Sequence, residues 1–256
     1  MKRVVTALLL IPAFVYLILW APYLAFLAAV AGVSILCFRE YSNLVALHGL
    51  AKPRAFGYIA GVLILLLPWK DVAVIVLLGM VAMSLALRLP DLTKALPSAA
   101  ALLLGVLYTF GSMRCAIDLR SIEPYWLFFA LSLNWAGDIA AYYVGKLIGR
   151  HRLAPEVSPA KTWEGSAGSV AASLIYAALY FPRLLPKVPL WEALALTAVA
   201  NMAGQLGDLV ESAMKRGAGV KDSGTLLPGH GGWLDRVDSG LFALPVVYFV
   251  VSNFGL

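Results

Sequence analysis

Charged residues, cysteine and histidine are all scarce in this sequence. Charged residues make up 13% of the 256 residues, and there are only 2 cysteines and 3 histidines. The histidines have no spacing typical of zinc ligands, and no CxxC motif occurs. The sequence also lacks a long polar linker and an evident internal repeat. These absences argue against a zinc protein and favour one domain over 1–256.

Apolar residues, in contrast, make up 61% of the chain. They form runs of about 17 to 25 residues, a length that spans a bilayer as a helix. We therefore predict an all-α, polytopic integral membrane protein with about nine transmembrane helices. The first apolar run is too long for a signal peptide, so we expect it to be retained. The predicted helices are 4–20, 23–44, 55–69, 71–88, 97–116, 124–147, 163–181, 190–214 and 236–254.

Basic residues are distributed unevenly between the two sides of the predicted helices. Of the 20 Lys and Arg residues, fifteen lie on the N-terminal side and five on the other. The positive-inside rule then places the N-terminus and the loops 147–162 and 215–235 in the cytoplasm. Cys37 and Cys115 fall near opposite sides, so we expect no disulfide between them. This excess of basic residues on one side explains the net charge of +6 without a nucleic-acid partner. Attraction to anionic lipid is the expected consequence of the charge.

The charge that is present is concentrated between Asp208 and Ser239. Glycines and Pro228 interrupt helical structure there and leave backbone N–H groups able to approach an anion. Carboxylates bind divalent cations and basic side chains bind phosphate, so the stretch predicts nucleotide phosphate chemistry. Its titratable residues are Asp208, Glu211, Lys215, Arg216, Lys221, Asp222, His230, Asp235, Arg236 and Asp238.

Two predicted helices carry polar residues at every third or fourth position, which places them on one face. A charged side chain in hydrocarbon costs about 2.5 to 3.5 kcal/mol, so these faces must meet each other or line a polar cavity. A hydrogen bond between helices is the alternative role for Asp138. The stripe on 124–147 consists of Asn134, Asp138 and Tyr142. The stripe on 190–214 consists of Asn201, Gln205, Asp208 and Ser212, with Lys215 one position beyond the predicted end.

Two further acidic residues flank Arg236 at the start of the last predicted helix. Asp235 and Asp238 are three positions apart and so share a face. Acidic residues at a helix N-terminus are typical of capping, which is the simpler interpretation. Converging with Asp208, however, they would supply the oxygen ligands that Mg²⁺ prefers. We predict a metal site formed by Asp208, Asp235 and Asp238.

The segment VSPAKTWEG (157–165) precedes the predicted helix 163–181. Ordinary helix capping accounts for Thr162 and Glu164 as well as a binding role does. Lys161 differs, because a cation at a helix N-terminus opposes the helix dipole. A bound anion explains its position better.

These motifs resemble those of the phosphatidate cytidylyltransferase family, also called CDP-diacylglycerol synthases. SPAKTWEG (158–165) is similar to the family's SPKKTWEG, with Ala160 where a basic residue is common. Arg39 and Glu40 are similar to a short RE element, and the resemblance includes Asp138, Tyr142 and Gly145. The N-terminal hundred residues otherwise match mainly in hydrophobicity. In 212–238 the matching positions are Ser212, Lys215, Arg216, Lys221, Asp222, Gly224, Pro228, His230, Gly231, Gly232, Asp235, Arg236 and Asp238.

The resemblance implies that CTP and phosphatidic acid react to give CDP-diacylglycerol and pyrophosphate. It also implies Mg²⁺, as one or two ions with a monovalent cation possible, and a homodimer. The length and the lack of an organelle-targeting segment favour a bacterial inner membrane, and the positive-inside rule places the active site on its cytoplasmic side. Helices in 1–120 would support a catalytic part in 121–256. The catalytic residues would be Asp208, Lys221, Asp222, His230, Asp235, Arg236 and Asp238. Substrate would contact Asp138, Tyr142, Ser158, Lys161, Thr162, Glu164, Lys215, Arg216, Gly231 and Gly232.

Several assignments stay open at this point. His230 fits a structural role in its turn as well as a contact with pyrophosphate, and Asp222 fits either a metal ligand or a partner of Lys221. A CTP-dependent enzyme acting on another lipid phosphate or on a polyprenol is an alternative function. An ion-coupled transporter using Asp138 and Asp208 is an alternative of a different class. The spaced motif of CDP-alcohol phosphotransferases is absent.

Overall fold

The structure is a computed structural model that describes residues 12–53, 55–67, 72–226 and 231–256. Most of the predicted helix 4–20 lies outside the described residues, although 12–19 are helical. The predicted turn at 68–71 and His230 also lie outside them.

Helices account for most of the described chain, which confirms the all-α prediction. Every predicted helix from 23–44 onward has a helical counterpart. In chain order the helices are α1 (Tyr23–Leu47), α2 (Ala55–Leu66), α3 (Val72–Ala86), α4 (Ala95–Val106), α5 (Ser112–Ile122), α6 (Pro124–Ile148), α7 (Trp163–Leu184), α8 (Leu190–Gly217) and α9 (Leu234–Phe254). A 3-10 turn (Leu92–Lys94) precedes α4, and a π-helical segment (Leu107–Gly111) joins α4 to α5.

Within the described residues, 4 helical stretches are long and apolar enough to cross a membrane. They are Tyr23–Leu47, Leu92–Ile122, Leu190–Gly217 and Leu234–Phe254. Ala55–Leu66 and Ala73–Ala86 are shorter apolar helices. These helices support an integral membrane protein, while the count of about nine spans stays a prediction.

The segment 147–162 is more ordered than the loop that the sequence predicted. It contains a hairpin of β1 (Arg152–Ala154) and β2 (Ser158–Thr162), paired antiparallel with Arg152 opposite Thr162 and Ala154 opposite Ser158. Pro159 accordingly lies in a strand. A two-stranded ribbon has two outer edges, where a proline without an N–H is tolerated.

The predicted helix 97–116 begins earlier and ends later in the structure. Asp91 Oδ1 accepts a hydrogen bond of 3.0 Å from the Thr93 backbone N–H and so starts the 3-10 turn. Pro97 lies in the first turn of α4, where the missing N–H has no helical partner to lose. Proline therefore did not mark the start of this helix, and the helical stretch continues to Ile122.

The described residues form two compact units. The first unit comprises the described residues up to Phe26 together with Cys115–Ala213 and Val237–Leu256. The second comprises the described residues of Leu27–Arg114 and Met214–Arg236. The single domain over 1–256 stays a prediction.

In the first unit, α6 and α7 pack through small residues that let their backbones approach closely. A Cβ on Gly137 of α6 would lie 2.5 Å from Ser169 Oγ, and one on Gly165 of α7 would lie 2.9 Å from the Ala141 carbonyl oxygen. These contacts fix the N-terminus of α7 and therefore the end of β2, which places Lys161.

In the second unit, aromatic residues of α1 pack against glycines of neighbouring helices. A Cβ on Gly57 would collide with the ring of Phe38, and one on Gly105 with the ring of Tyr41. The Tyr41 hydroxyl also donates a hydrogen bond of 2.9 Å to the Ala101 carbonyl. This packing holds α1 in a fixed register.

The close α6–α7 packing makes Gly165 sensitive to a single added methyl group. We expect Gly165→Ala to lower the free energy of unfolding by about 1 to 3 kcal/mol, as overpacking typically does. The control is Gly32→Ala, since among the described residues nothing lies within 4 Å of a Cβ at Gly32. Thermal unfolding in detergent, followed by circular dichroism, measures both variants. If Gly165→Ala and Gly32→Ala melted at the same temperature, the close packing of α6 against α7 at Gly165 would be contradicted.

Candidate active site

The first unit brings together two residues that the sequence assigned to ligand binding. Lys161 near the end of β2 forms an ion pair, through its Nζ, with Asp208 Oδ2 on α8. Their side chains are 28% and 32% exposed, so the pair is reachable from outside the helices. Ser212 Oγ lies 3.4 Å from Asp208 Oδ1, one helical turn away. A cation predicted for phosphate and a carboxylate predicted for metal thus neutralise each other in this structure.

A ladder of buried polar side chains holds α8 against α7. Asn201 Nδ2 donates to Ser173 Oγ at 2.9 Å and to Ser169 Oγ at 3.1 Å. Gln205 Nε2 donates to Asn201 Oδ1 at 2.7 Å, and Ser166 Oγ donates to Gln205 Oε1 at 2.5 Å. Asn201 and Gln205 of the polar stripe thus contact serines of α7, whereas the prediction that the two stripes meet each other or line a polar cavity stays a prediction. Because α8 cannot rotate without breaking this ladder, the direction of Asp208 is fixed.

Thr162 and Glu164 have the structural roles that the sequence left open. Thr162 is the N-cap of α7, and its Oγ1 accepts a hydrogen bond of 3.1 Å from the Gly165 backbone N–H. Glu164 Oε1 lies 2.6 Å from His151 Nδ1, and Glu164 Oε2 accepts from the Arg150 backbone N–H at 3.1 Å. The capping interpretation of Thr162 is confirmed, and Glu164 fastens the chain that enters the hairpin. A contact between either residue and substrate stays a prediction.

The polar stripe on α6 is only partly buried. Asn134 is buried, and a Cβ on Gly204 of α8 would collide with its Oδ1. Asp138 and Tyr142 are exposed, and the Lys146 ammonium lies 5.7 Å from the centroid of the Tyr142 ring. The structure therefore separates Asn134, which packs between helices, from two residues that remain accessible to a ligand or to lipid.

Asp238 lies beside the point where α8 and α9 cross. A Cβ on Gly207 would lie 2.6 Å from the Asp238 carbonyl oxygen, so the two backbones touch next to Asp208. Asp238 Oδ1 accepts a hydrogen bond of 2.8 Å from the Ser239 N–H. Asp208 and Asp238 consequently belong to adjacent turns of two touching helices.

The second unit contains another lysine–carboxylate pair. Lys215 Nζ lies 2.5 Å from Asp235 Oδ1, and the two side chains are 11% and 5% exposed. Asp235 Oδ2 accepts from the Ser223 N–H at 2.9 Å, from Ser223 Oγ at 2.9 Å and from the Gly232 N–H at 2.7 Å. The bond to the Gly232 N–H just before α9 is consistent with the alternative interpretation of Asp235 as a capping residue, and its role as a metal ligand stays a prediction. Lys215, assigned to substrate by the sequence, is in contact with this carboxylate.

Glu40 of α1 is a polar site residue that the predicted set of site residues omits. It is 2% exposed, and its carboxylate accepts hydrogen bonds from the Trp233 N–H at 3.1 Å and the Leu234 N–H at 2.8 Å. Ser223 Oγ lies 3.0 Å from Glu40 Oε2. An acidic residue inside a long apolar helix was the available indication, because such a residue needs a polar partner.

The other predicted residues of the second unit are mostly exposed. Gly231 adopts a φ of +79°, a left-handed conformation that favours glycine and turns successive N–H groups to one side. In the second unit, the predicted site residues with exposed side chains are Arg216, Lys221, Asp222 and Arg236. Ser158, in the first unit, begins β2 opposite Ala154.

The carboxylates present are chemically suited to Mg²⁺, which prefers oxygen ligands. Among the described residues, however, no three His, Cys, Asp or Glu side chains are grouped closely enough to hold a metal ion. Asp208 and Asp238 belong to the first unit and Asp235 to the second. The three-carboxylate metal site therefore stays a prediction.

Comparisons with known proteins identify relatives along the whole chain. The model of the cytidylyltransferase family matches residues 1–254. A phosphatidate cytidylyltransferase of Staphylococcus epidermidis is 35% identical over 252 residues, covering 96% of each chain. That of Staphylococcus aureus is 37% identical over 233 residues, covering 84% of this chain and 89% of the relative. That of Bacillus subtilis is 42% identical over 154 residues, covering 59% of this chain and 57% of the relative.

Thr162 offers a test of how the hairpin and α7 position Lys161. Thr162→Val removes the oxygen that accepts the Gly165 N–H, and we expect it to cost about 1 kcal/mol of stability, as lost N-caps do. Thr162→Ser retains the oxygen and should preserve the melting temperature. Thermal unfolding in detergent compares the three proteins. A valine variant as stable as the serine variant would show that the cap does not hold this helix.

Proposed function

The chain belongs to the cytidylyltransferase family, and we propose that it transfers CMP from CTP to phosphatidic acid and releases pyrophosphate. The bacterial relatives, which are phosphatidate cytidylyltransferases, support this choice of lipid. So does the sequence of 212–238, where basic residues, carboxylates and glycines follow one another as phosphate chemistry requires. Family membership argues against the ion-coupled transporter.

The accessible Lys161–Asp208 pair is the observation that carries the proposal. A phosphate monoester has a second pKa of about 6, so the lipid nucleophile is already largely ionised at neutral pH. The protein therefore needs no strong general base. It must instead bring two anions together and neutralise a departing pyrophosphate. A lysine held at the edge of a helix bundle by an exchangeable carboxylate meets that need.

In the proposed reaction, a phosphate oxygen of phosphatidic acid attacks the α-phosphorus of CTP. The bond from that phosphorus to the oxygen bridging to the β-phosphate breaks, and the electron pair leaves with pyrophosphate. Lys161 exchanges Asp208 for a phosphate oxygen, while Lys221 and Arg236 supply further positive charge. In the glycine-rich turn, the Gly232 N–H would reach a nucleotide phosphate after exchanging its contact with Asp235.

Asp208, Asp235 and Asp238 are the residues that we propose to hold Mg²⁺. The ion, when bound, offsets the charge of the triphosphate and of the leaving pyrophosphate. Asp208 is partly exposed, and Asp238 lies at the same helix crossing. Asp235 must first exchange its contact with Lys215. A monovalent cation would add to the same charge balance.

The membrane arrangement is part of the proposal. About nine helices would span a bacterial inner membrane, with the N-terminus and the active site on the cytoplasmic side, where CTP is available. The long apolar helices, the bacterial relatives and the uneven distribution of basic residues support this arrangement. A homodimer remains the expected assembly.

Neutralising either member of the accessible pair should remove activity without unfolding the protein. We expect Lys161→Gln and Asp208→Asn each to lower CMP transfer by roughly a hundredfold or more, the effect of losing a charge-stabilising contact in a transition state. The assay follows labelled cytidine phosphate from CTP into organic-extractable lipid, with purified protein, phosphatidic acid and Mg²⁺.

Glu192→Gln provides the matched control, because Glu192 lies in the first turn of the same helix as Asp208. It should retain activity, and adding a chelator should abolish transfer by the unmodified protein. Folded Lys161→Gln and Asp208→Asn variants with normal turnover would refute the site. Transfer to a polyprenol or another lipid phosphate, but not to phosphatidic acid, would refute the substrate.

A further inference from the structure

The helix α9 begins without a capping side chain at its own entry. The chain enters it through Gly232 and Trp233, and the first N–H groups of a helix have no acceptor within the helix. A Ser, Thr, Asp or Asn side chain at the entry usually accepts them. Trp233, the residue before Leu234, has no side-chain acceptor that could serve as a cap. Asp235, in the first turn, accepts at 2.7 Å the N–H of Gly232, which lies one residue before the cap position, so the N–H groups of Trp233 and Leu234 still need an acceptor.

Glu40 of α1 supplies this acceptor from a distant part of the sequence. Its Oε1 accepts from the Trp233 N–H at 3.1 Å and its Oε2 from the Leu234 N–H at 2.8 Å. A Cβ on Gly232 would collide with Glu40 Oε2. The carboxylate thus occupies the space of an ordinary cap residue, and only glycine leaves room for it.

The same carboxylate also holds the segment that precedes the glycine-rich turn. Ser223 Oγ lies 3.0 Å from Glu40 Oε2 and 2.9 Å from Asp235 Oδ2. A hydroxyl has one hydrogen, so Ser223 donates to one of these carboxylates at a time. A Cβ on Gly224 would lie 2.6 Å from Glu40 Oε1. Both 223–224 and 232–234 are therefore fastened to one buried side chain.

We propose that Glu40 is a positioning residue for the nucleotide. By holding both ends of the segment from Ser223 to Leu234, it fixes Gly231, Asp235 and Arg236 relative to one another. Because Glu40 accepts the N–H groups of the first turn, Asp235 can exchange its contacts for ligand without leaving α9 uncapped. A charged acceptor suits this task, since charge-assisted hydrogen bonds are stronger and a helix N-terminus favours negative charge. The inference rests on the proposed binding of CTP phosphates by this segment.

Glu40→Gln tests the inference with little change of shape. The amide group replaces one accepting oxygen with a donor that faces backbone N–H groups. We expect the KM for CTP to rise roughly tenfold to hundredfold, as small displacements of positioning groups do. The KM for phosphatidic acid should stay unchanged. Ser223→Ala, which leaves the Glu40 bonds to α9 intact, should raise the KM for CTP by a smaller factor.

Asp91→Asn serves as the matched control, because Asp91 also accepts a backbone N–H at a helix start but lies outside the predicted site residues. It should leave both KM values unchanged. A folded Glu40→Gln variant with an unchanged KM for CTP would overturn the inference. The inference would also be overturned if Glu40→Gln lowered only the melting temperature and left the KM for CTP of the folded protein unchanged.

If Glu40→Gln does not fold, Ser223→Ala decides the question, and an unchanged KM for CTP in that variant overturns the inference. The outcome is separable from that of the proposed function. Inactive Lys161→Gln and Asp208→Asn variants beside a normal Glu40→Gln variant would refute only the positioning role. Fully active Lys161→Gln and Asp208→Asn variants would refute the proposed site itself.

Discussion

The cost of placing charge among apolar helices is the constraint on which this structure depends. A charged side chain in hydrocarbon costs about 2.5 to 3.5 kcal/mol, so a carboxylate there is stable only with a partner. Asp208 has Lys161, Asp235 has Lys215 and three further donors, and Glu40 has the first N–H groups of α9. The polar groups that the reaction needs are thereby held in place before any ligand arrives.

This pairing has a consequence for binding. A ligand that brings phosphate and Mg²⁺ replaces one set of ion pairs with another, so little net charge is buried when it binds. The accessible pair is suited to such exchange because both side chains retain about a third of their exposure. The Lys215–Asp235 pair is almost fully buried, and it therefore needs the support of Ser223, Gly232 and Glu40 to remain in place when its contacts change.

Apolar length and helical spacing were sufficient to predict the helices and the inward face of α8. They were not sufficient for the hairpin at 152–162, whose strands are too short to produce an alternating pattern and contain Pro159. The helix predicted to begin at 97 begins at Ala95 in the structure, since proline is tolerated in a first turn. Spacing identified Asn201, Gln205 and Asp208, since these residues share one helix face. The family resemblance included Glu40 in its RE element, but the role of Glu40 was not predicted because its contacts are with residues nearly two hundred positions away, which no local pattern encodes.

The most direct test of this account is a charge swap, Lys161→Asp combined with Asp208→Lys. The double variant again has opposite charges at positions 161 and 208, so an ion pair can form. Its cation, however, comes from α8 and its carboxylate from β2, which is the reverse of the native arrangement. We predict that the double variant regains much of the melting temperature lost by each single charge reversal, while transfer of labelled CMP from CTP to phosphatidic acid stays abolished. Recovery of both stability and transfer would show that the pair serves only to stabilise the fold, and would contradict the account.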